Sequence, residues 1–137
     1  MTRFAFAAVL FTAFTSTLVP AQTMDMQASI PFEFRVGQTE MPAGEYVIHH
    51  DPSGALVLQE RSGRHAALIA FTVGARRPAP LQTGELQFNR YGETYFLARL
   101  WPPASQTGVA LPKSPRETEL TRELGLAQRT SIALQRK

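Results

Sequence analysis

The segment that decides the fold is YVIHHDPSGALVL, residues 46–58. Asp51, Pro52 and Gly54 stand at the first, second and fourth positions of a four-residue turn, where a type I turn favours these residue types. Runs of apolar residues, at residues 46–48 and 55–58, lie on both sides of this turn, as expected for two strands. The segment therefore predicts a hairpin that joins residues 46–48 to residues 55–58.

Another strand is predicted upstream of this hairpin, over residues 28–36. Its apolar face consists of Ile30, Phe32, Phe34 and Val36. A period of two indicates a strand with one buried face. Pro31 has no backbone N–H to donate, so we expect an edge strand or a strand whose Pro31 points away from its neighbour. Gly37 ends the strand, and Met-Pro-Ala-Gly at residues 41–44 predicts a tight turn into the hairpin.

Two further β-rich regions follow the hairpin. Residues 65–73 are apolar at most positions, which predicts a strand covered on both faces. Residues 85–89 and 94–101 predict a second hairpin around Tyr91-Gly92-Glu93. Its core-facing side chains are expected to be Leu86, Phe88, Phe96 and Leu100. Strict alternation then places Tyr95, Leu97 and Trp101 on the opposite face.

The chain changes character at residues 114–117, Ser-Pro-Arg-Glu. A serine before the first helical turn, a proline at its first position and a glutamate at its third are typical of a helix start. Leu120 and Leu124 lie four residues apart and would dock the helix on the sheet. Because Gly125 suits a helix end, we predict one short helix near residues 115–124.

These elements predict a single, mainly β domain over residues 22–137. With a last strand predicted at residues 130–135, the domain has six or seven short antiparallel strands in a meander. Such a meander must close as a small barrel or fold as a sandwich to hide its strand edges. We expect one of these two arrangements, with the helix packed at one end or across an opening.

Residues 1–21 have the pattern of a cleavable signal peptide. Arg3 gives a positive start, and the apolar run at residues 4–18 is too short for a transmembrane helix, which needs about 20 residues. Pro20 ends this run, and Ala21 is the small residue before the predicted cut. We therefore expect a periplasmic or secreted domain with no membrane anchor after cleavage.

The chain contains no cysteine and carries a formal charge of +3. An exported domain without cysteine has neither disulfides nor a lipid-modified thiol, so packing alone must stabilise it. The basic residues are dispersed, with the densest groups at residues 61–64 and 76–77. Proteins that follow a phosphate backbone cluster Lys and Arg on one face, so we expect no nucleic-acid partner.

Few residues could carry catalytic chemistry. His49 and His50 are adjacent and should point to opposite faces of a strand, so we expect no metal site and no cofactor. Ser53 lies in a turn, without the strand-to-helix elbow that exposes a hydrolase serine. The candidates for a hydrolase are two pairs, Glu45 with Glu60 and His50 with Asp51. The sequence does not indicate that either pair comes together in a cleft, so we expect a protein that is not an enzyme.

Aromatic residues are concentrated over residues 88–101. In small β domains such residues usually belong to the core or to cross-strand pairs. Tyr95 and Trp101 nevertheless share the face predicted to point away from Phe96, and Tyr91 lies beside the turn. These three residues are our candidates for a ligand or partner surface.

Two segments, PAGEY at residues 42–46 and FNRYGETYFL at residues 88–97, carry a resemblance. They resemble segments of small exported proteins from soil bacteria, notably acidobacteria, and the likeness covers most of the mature chain. The shared motifs consist of turn and core residues. The resemblance therefore implies an exported bacterial β domain with a C-terminal helix, and it implies no activity, cofactor or catalytic residue.

The combined pattern predicts a non-enzymatic, extracytoplasmic binding or interaction module. Its ligand would be a small apolar molecule or an envelope component, or it would contact a protein partner through the face of Tyr95 and Trp101. Two alternatives stay open. One is a secreted hydrolase that uses the residue pairs named above, and the other is a structural envelope protein that assembles through strand edges.

Overall fold

Turns and prolines divide the chain into eleven strands and one helix within the residues that the structure describes. The structure is a computed structural model that describes residues 24–70, 72–80 and 82–136, so the predicted signal peptide lies outside the described residues. The elements are β1 (Met24–Ile30), β2 (Phe34–Val36), β3 (Thr39–Met41), β4 (Gly44–His50), β5 (Leu56–Glu60), β6 (Ala66–Ile69), β7 (Val73–Arg76), β8 (Gly84–Tyr91), β9 (Thr94–Trp101), β10 (Thr107–Ala110), α1 (Pro115–Leu124) and β11 (Gln128–Arg136).

The strands form one sheet that closes almost completely into a barrel. Its order is β3-β2-β9-β8-β11-β1-β4-β5-β6, and β10 pairs with both β9 and β7. The pairing of β2 with β9 is parallel, and the other pairings are antiparallel. The end strands approach each other where Ile69 of β6 lies against Gly37, in the turn before β3. The mainly β class and the barrel shape are confirmed, with more strands than the six or seven predicted.

The additional strands arise because two predicted strands are each divided, and because β3 and β10 form where no strand was predicted. Residues 28–36 contribute to β1 and β2, since the strand is interrupted after Ile30 and its two parts pair with different neighbours. β1 lies between β4 and β11, so it is not an edge strand, and Pro31 falls just beyond its end. Residues 65–73 contribute to β6 and β7. There the predicted double coverage is wrong, because β6 is an open end of the sheet and Leu68 is 66% exposed.

The first hairpin forms as predicted and contributes to the core. β4 and β5 pair from Tyr46 opposite Glu60 to His50 opposite Leu56, and Gly54 adopts a φ of +96° in the turn. The barrel interior is filled by buried side chains from most of the strands: Met26, Ala28, Ile30, Phe34, Val36, Met41, Tyr46, Ile48, Leu56, Leu58, Ala67, Leu86, Phe88, Leu97, Leu100, Val109 and Leu134. The interior is therefore a packed core.

A β-bulge at Ala98 shifts the face of β9 that points inward. Gln87 pairs with Arg99, whereas Phe88 pairs with Leu97, so Ala98 is an extra residue in β9. Leu97 and Leu100 consequently both face the interior. The predicted sharing of one face by Phe96 and Leu100 is wrong, because one inserted residue reverses the alternation of every residue beyond it.

Helix α1 packs against the outer face of the second hairpin, close to its turn. The hydroxyl of Ser114 accepts a hydrogen bond from the backbone N–H of Glu117, as the predicted helix start requires. Leu120 packs against Tyr91 and Phe96, but Leu124 is 59% exposed, so the predicted two-leucine stripe is half wrong. The inward face of α1 continues instead through Glu117 and Thr121. Within the described residues, no helix has both the length and the apolar character needed to cross a bilayer.

Candidate functional site

A groove of about 840 Å³ crosses the outer faces of four neighbouring strands, β11, β1, β4 and β5. Side chains alternate between the two faces of each strand, so the residues between the core positions line this surface. Its main lining residues are Gln27, Ser29, Glu45, Val47, His49, Gln59, Arg61, Ser131, Ala133 and Gln135. We call this surface the outer groove.

A row of three glutamines and one valine crosses the middle of the outer groove. Gln135 lies opposite Gln27, which lies opposite Val47, which in turn lies opposite Gln59. Each glutamine amide offers two N–H donors and one carbonyl acceptor. These three amides make no side-chain hydrogen bond to another described residue. Their donors and acceptors are therefore available to a molecule in the groove.

Pairs of interacting side chains lie on either side of this row. On one side, His49 Nδ1 lies 2.5 Å from Asp25 Oδ1. On the other side, Arg61 Nη1 lies 2.8 Å from Glu45 Oε2, so these two charges compensate each other. Between the pairs, the groove presents mainly neutral polar groups.

The chemistry available to His49 is limited. A histidine held by a carboxylate can accept a proton, but acyl transfer also requires a nucleophile within hydrogen-bond reach. Among the described residues, His49 is hydrogen-bonded to Asp25 and to no hydroxyl. No group of three or more His, Asp or Glu side chains in the described ranges is placed to hold a metal ion.

The residue pairs named for a hydrolase are not hydrogen-bonded to each other among the described residues. Glu45 and Glu60 both border the outer groove, but Tyr46 rather than Glu45 lies opposite Glu60, and the carboxylate of Glu45 is paired with Arg61. His65 Nδ1 lies 2.7 Å from Glu60 Oε2, and Glu60 accepts a hydrogen bond from it when the ring carries its proton on Nδ1. Asp51 does not contact His50 in the described hydrogen-bond network. Its carboxylate instead accepts from the backbone N–H of Ser53 at 2.9 Å, within the turn.

Tyr46 is a buried titratable group whose surroundings change its ionisation. Burial and, to a lesser extent, the negative charge of Glu60 raise its pKa to about 12. Its hydroxyl donates a hydrogen bond to the backbone carbonyl of Pro42. Tyr46 is thus a neutral core residue that fastens the turn between β3 and β4.

The three aromatic candidates lie in separate environments. Trp101 is only 5% exposed, and Tyr91 is only 4% exposed beneath α1, where its hydroxyl accepts from Thr121 at 3.0 Å. Tyr95 is partly exposed and stacks on Phe32 with ring centres 3.9 Å apart. Tyr91, Tyr95 and Trp101 therefore do not form one continuous surface.

Trp101 belongs to a network that attaches β7 and β10 to the sheet. The guanidinium of Arg77 lies over its ring and also donates to Glu85 at 3.2 Å. Glu85 accepts further hydrogen bonds from Gln87 and Ser131. Burial alone would raise the pKa of Glu85, but these hydrogen bonds and the charge of Arg77 hold it below its ordinary value.

Tyr95 lines a second, smaller cavity of about 370 Å³ beside β2 and β3. Glu33 and Glu93 contribute carboxylates, and Arg35 is paired with Glu40 at 2.6 Å. This cavity carries a mixture of charges and one partly exposed ring, without a buried polar group that would fix a ligand.

Among the main lining residues of the outer groove, the sequence analysis had considered Glu45 and His49 but none of the three glutamines of the row. The sequence does indicate that the groove residues lie on the polar faces of their strands, because polar and apolar residues alternate there. It does not indicate which polar residues become neighbours, because that depends on the register between strands. Comparisons with protein-family models, curated proteins and solved structures gave no match to this chain. The site is therefore interpreted from its own geometry.

Proposed function

We propose that this chain is a non-enzymatic, extracytoplasmic binding module whose binding surface is the outer groove. The observation that carries the proposal is the concave, charge-compensated surface with three uninvolved amides between Gln135 and Gln59. Ligand sites are typically concave and contain a few convergent polar groups that fix orientation. The outer groove has both properties.

The outer groove replaces the face of Tyr95 and Trp101 as the proposed surface. Trp101 is covered by Arg77 and by the backbone at Gly108, so it cannot offer its ring to a ligand without rearrangement. The packed barrel interior likewise provides no support for an apolar ligand held inside the barrel. A surface ligand such as an envelope component fits the described geometry better.

The extracytoplasmic location is proposed from the pattern of residues 1–21 and from the lack of cysteine. The non-enzymatic character is proposed because no hydroxyl among the described residues is hydrogen-bonded to His49, and because Glu45 and Glu60 each have a partner other than the other carboxylate, Arg61 and His65. Assembly through strand edges stays an alternative prediction, since β3, β6 and β7 each pair on one side within the described sheet.

Co-sedimentation with a bacterial envelope fraction tests the proposal. Ala133 is an exposed residue of the groove, so Ala133→Trp should obstruct the groove without entering the core. The matched control is Ala79→Trp, at an exposed loop residue away from the groove. We expect the unaltered protein and the control to sediment with the envelope and Ala133→Trp to stay in solution. Equal sedimentation of both variants, or no sedimentation of the unaltered protein, would show that the proposed surface is wrong.

A further inference from the structure

We infer that the outer groove binds a chain of uncharged sugar units that lies across the strands. This inference rests on the proposed function, because it names the ligand class of the same groove. It is carried by the row of Gln135, Gln27, Val47 and Gln59, and by the side-chain pairs His49–Asp25 and Arg61–Glu45 on either side of that row.

The first argument is the shape and spacing of the row. Neighbouring strands lie about 4.8 Å apart, so the three steps from Gln135 to Gln59 span roughly 14 Å. Amide donors and acceptors recur along this line. The matching ligand is elongated and carries both kinds of hydrogen-bonding group at regular intervals, as the hydroxyl and acetamido groups of an oligosaccharide do.

The second argument is charge. An anionic ligand would have to compete with Glu45 for Arg61, and a cationic ligand would have to compete with Arg61 for Glu45. Either ligand would exchange one ion pair for another in a solvent-exposed groove, where such pairs contribute little. A neutral ligand leaves both pairs intact and uses the amides between them.

The third argument excludes two other classes of ligand. Extended peptides commonly add to a free sheet edge, but β11, β1, β4 and β5 each have a neighbouring strand on both sides. A wholly apolar ligand would cover the amides of Gln27 and Gln59 without satisfying them, which is unfavourable. Val47 lies between these two glutamines and offers one apolar contact, which suits the C–H face of a sugar ring.

Side-chain amide resonances of the ¹⁵N-labelled protein provide the test. The probes are cellotriose and triacetylchitotriose, with trigalacturonic acid as a charged comparator of similar length. We expect both neutral sugars to shift the amide resonances of Gln27, Gln59 and Gln135, and the charged sugar to shift them much less. Removal of one amide by Gln27→Ala should weaken binding of the neutral sugars about two- to tenfold.

Two controls separate binding from damage to the fold. Gln38→Ala removes an exposed glutamine from the turn between β2 and β3 and should leave the affinity unchanged. Gln135→Ala repeats the test on a different strand, with backbone resonances of the core showing that each variant is folded.

The outcomes also separate this inference from the proposed function. If the neutral sugars leave the groove resonances unchanged while Ala133→Trp still abolishes envelope binding, the groove is a binding surface and the sugar assignment is wrong. The same holds if trigalacturonic acid binds more tightly than the neutral sugars. If neither envelope nor sugar engages the groove, both proposals fail.

Discussion

The guanidinium carbon of Arg77 lies 4.3 Å from the centre of the Trp101 ring. Because the same guanidinium donates to Glu85, one side chain connects the loop after β7 to both strands of the second hairpin. All three side chains are largely buried, so water screens these contacts only in part. Arg77 thus reinforces the attachment of β7 and β10, which the pairing of β10 with β9 also provides.

Replacement of Arg77 by alanine should therefore destabilise the protein. We expect Arg77→Ala to lower the free energy of unfolding by about 1–3 kcal/mol, since it removes a cation–π contact and a charge-assisted hydrogen bond. Urea denaturation followed by Trp101 fluorescence measures this change. The neighbouring Arg76→Ala, at an exposed residue of β7, should change the free energy by less than about 0.5 kcal/mol. Equal effects of the two variants would contradict the assigned role.

The close approach of Gly108 to Trp101 predicts a second destabilising substitution. A Cβ at residue 108 would lie 2.4 Å from the Leu100 carbonyl oxygen and 2.5 Å from the Trp101 ring. We expect Gly108→Ala to cost about 2–3 kcal/mol, because backbone must move to make room. Gly74→Ala is the matched control on the adjacent strand, where a Cβ meets nothing within 4 Å. Thermal unfolding of the two variants should differ clearly, and similar midpoints would show that the packing is looser than described.

Glu117 predicts an unusual dependence of stability on pH. It is 4% exposed, and Oε2 has no hydrogen-bond partner among the described residues. Burial raises the pKa of Glu117, against the opposing effects of Lys113 and Asn89. A carboxyl with a raised pKa in the folded state favours folding when protonated, so its contribution is lost as pH rises through that pKa.

Glu117→Gln should consequently stabilise the protein at pH 8 by about 1 kcal/mol, because it removes the buried charge. The advantage should shrink as the pH falls towards the ordinary pKa of a glutamate. Chemical denaturation at several pH values tests this. Glu119→Gln, on the exposed side of the same helix, should show no such pH-dependent gain. A constant difference between Glu117→Gln and the unaltered protein would mean that Glu117 does not titrate as described.

The raised pKa of Tyr46 predicts a late ionisation step in an alkaline titration of the protein. We expect its ionisation near pH 12, well above that of a free tyrosine, with stability lost as the pH rises from about 10 to about 12. Tyrosinate absorbance during alkaline titration measures the step. Tyr46→Phe should remove that step and cost about 1 kcal/mol, because the hydrogen bond to Pro42 is lost. Persistence of the late step in the variant would assign it to another tyrosine.

The predicted signal peptide can be tested by the mass of the exported protein. We expect a periplasmic or secreted product that begins at Gln22, because the cut is predicted after Ala21. Ala21→Lys should prevent this cleavage, since signal peptidase requires a small residue there. An exported product that retains residues 1–21 would show that the segment is not cleaved.

Local features of the fold were predictable because neighbouring residues determine them. The turn at Asp51 and Gly54 and the helix start at Ser114 depend on side chains within four positions of each other. The position of β1 was not predictable in this way. Contacts between distant parts of the chain place β1 between β4 and β11. Pro31 was expected to mark an edge strand or to point away from a neighbouring strand, but it lies just beyond the end of β1.

The candidate site was harder to predict than the fold. Alternation correctly indicated that Leu86 and Phe88 face the core. The bulge at Ala98 reverses the faces of the paired strand β9, and no feature of the sequence around Ala98 indicates a bulge. The outer groove depends on the register between four strands. Gln27 and Gln135 are far apart in the sequence, and nothing local indicates that they lie side by side.

The pairing of Met26 with Arg136 and of Gln27 with Gln135 also constrains how the barrel folds. β11 is the strand that joins β1 to β8, so the sheet consists of two incomplete halves until Gln128–Arg136 is in place. Closing such a distant pairing is slow compared with forming a hairpin. The barrel therefore closes late in folding, because the pairing that joins its two halves links strands from opposite ends of the described residues.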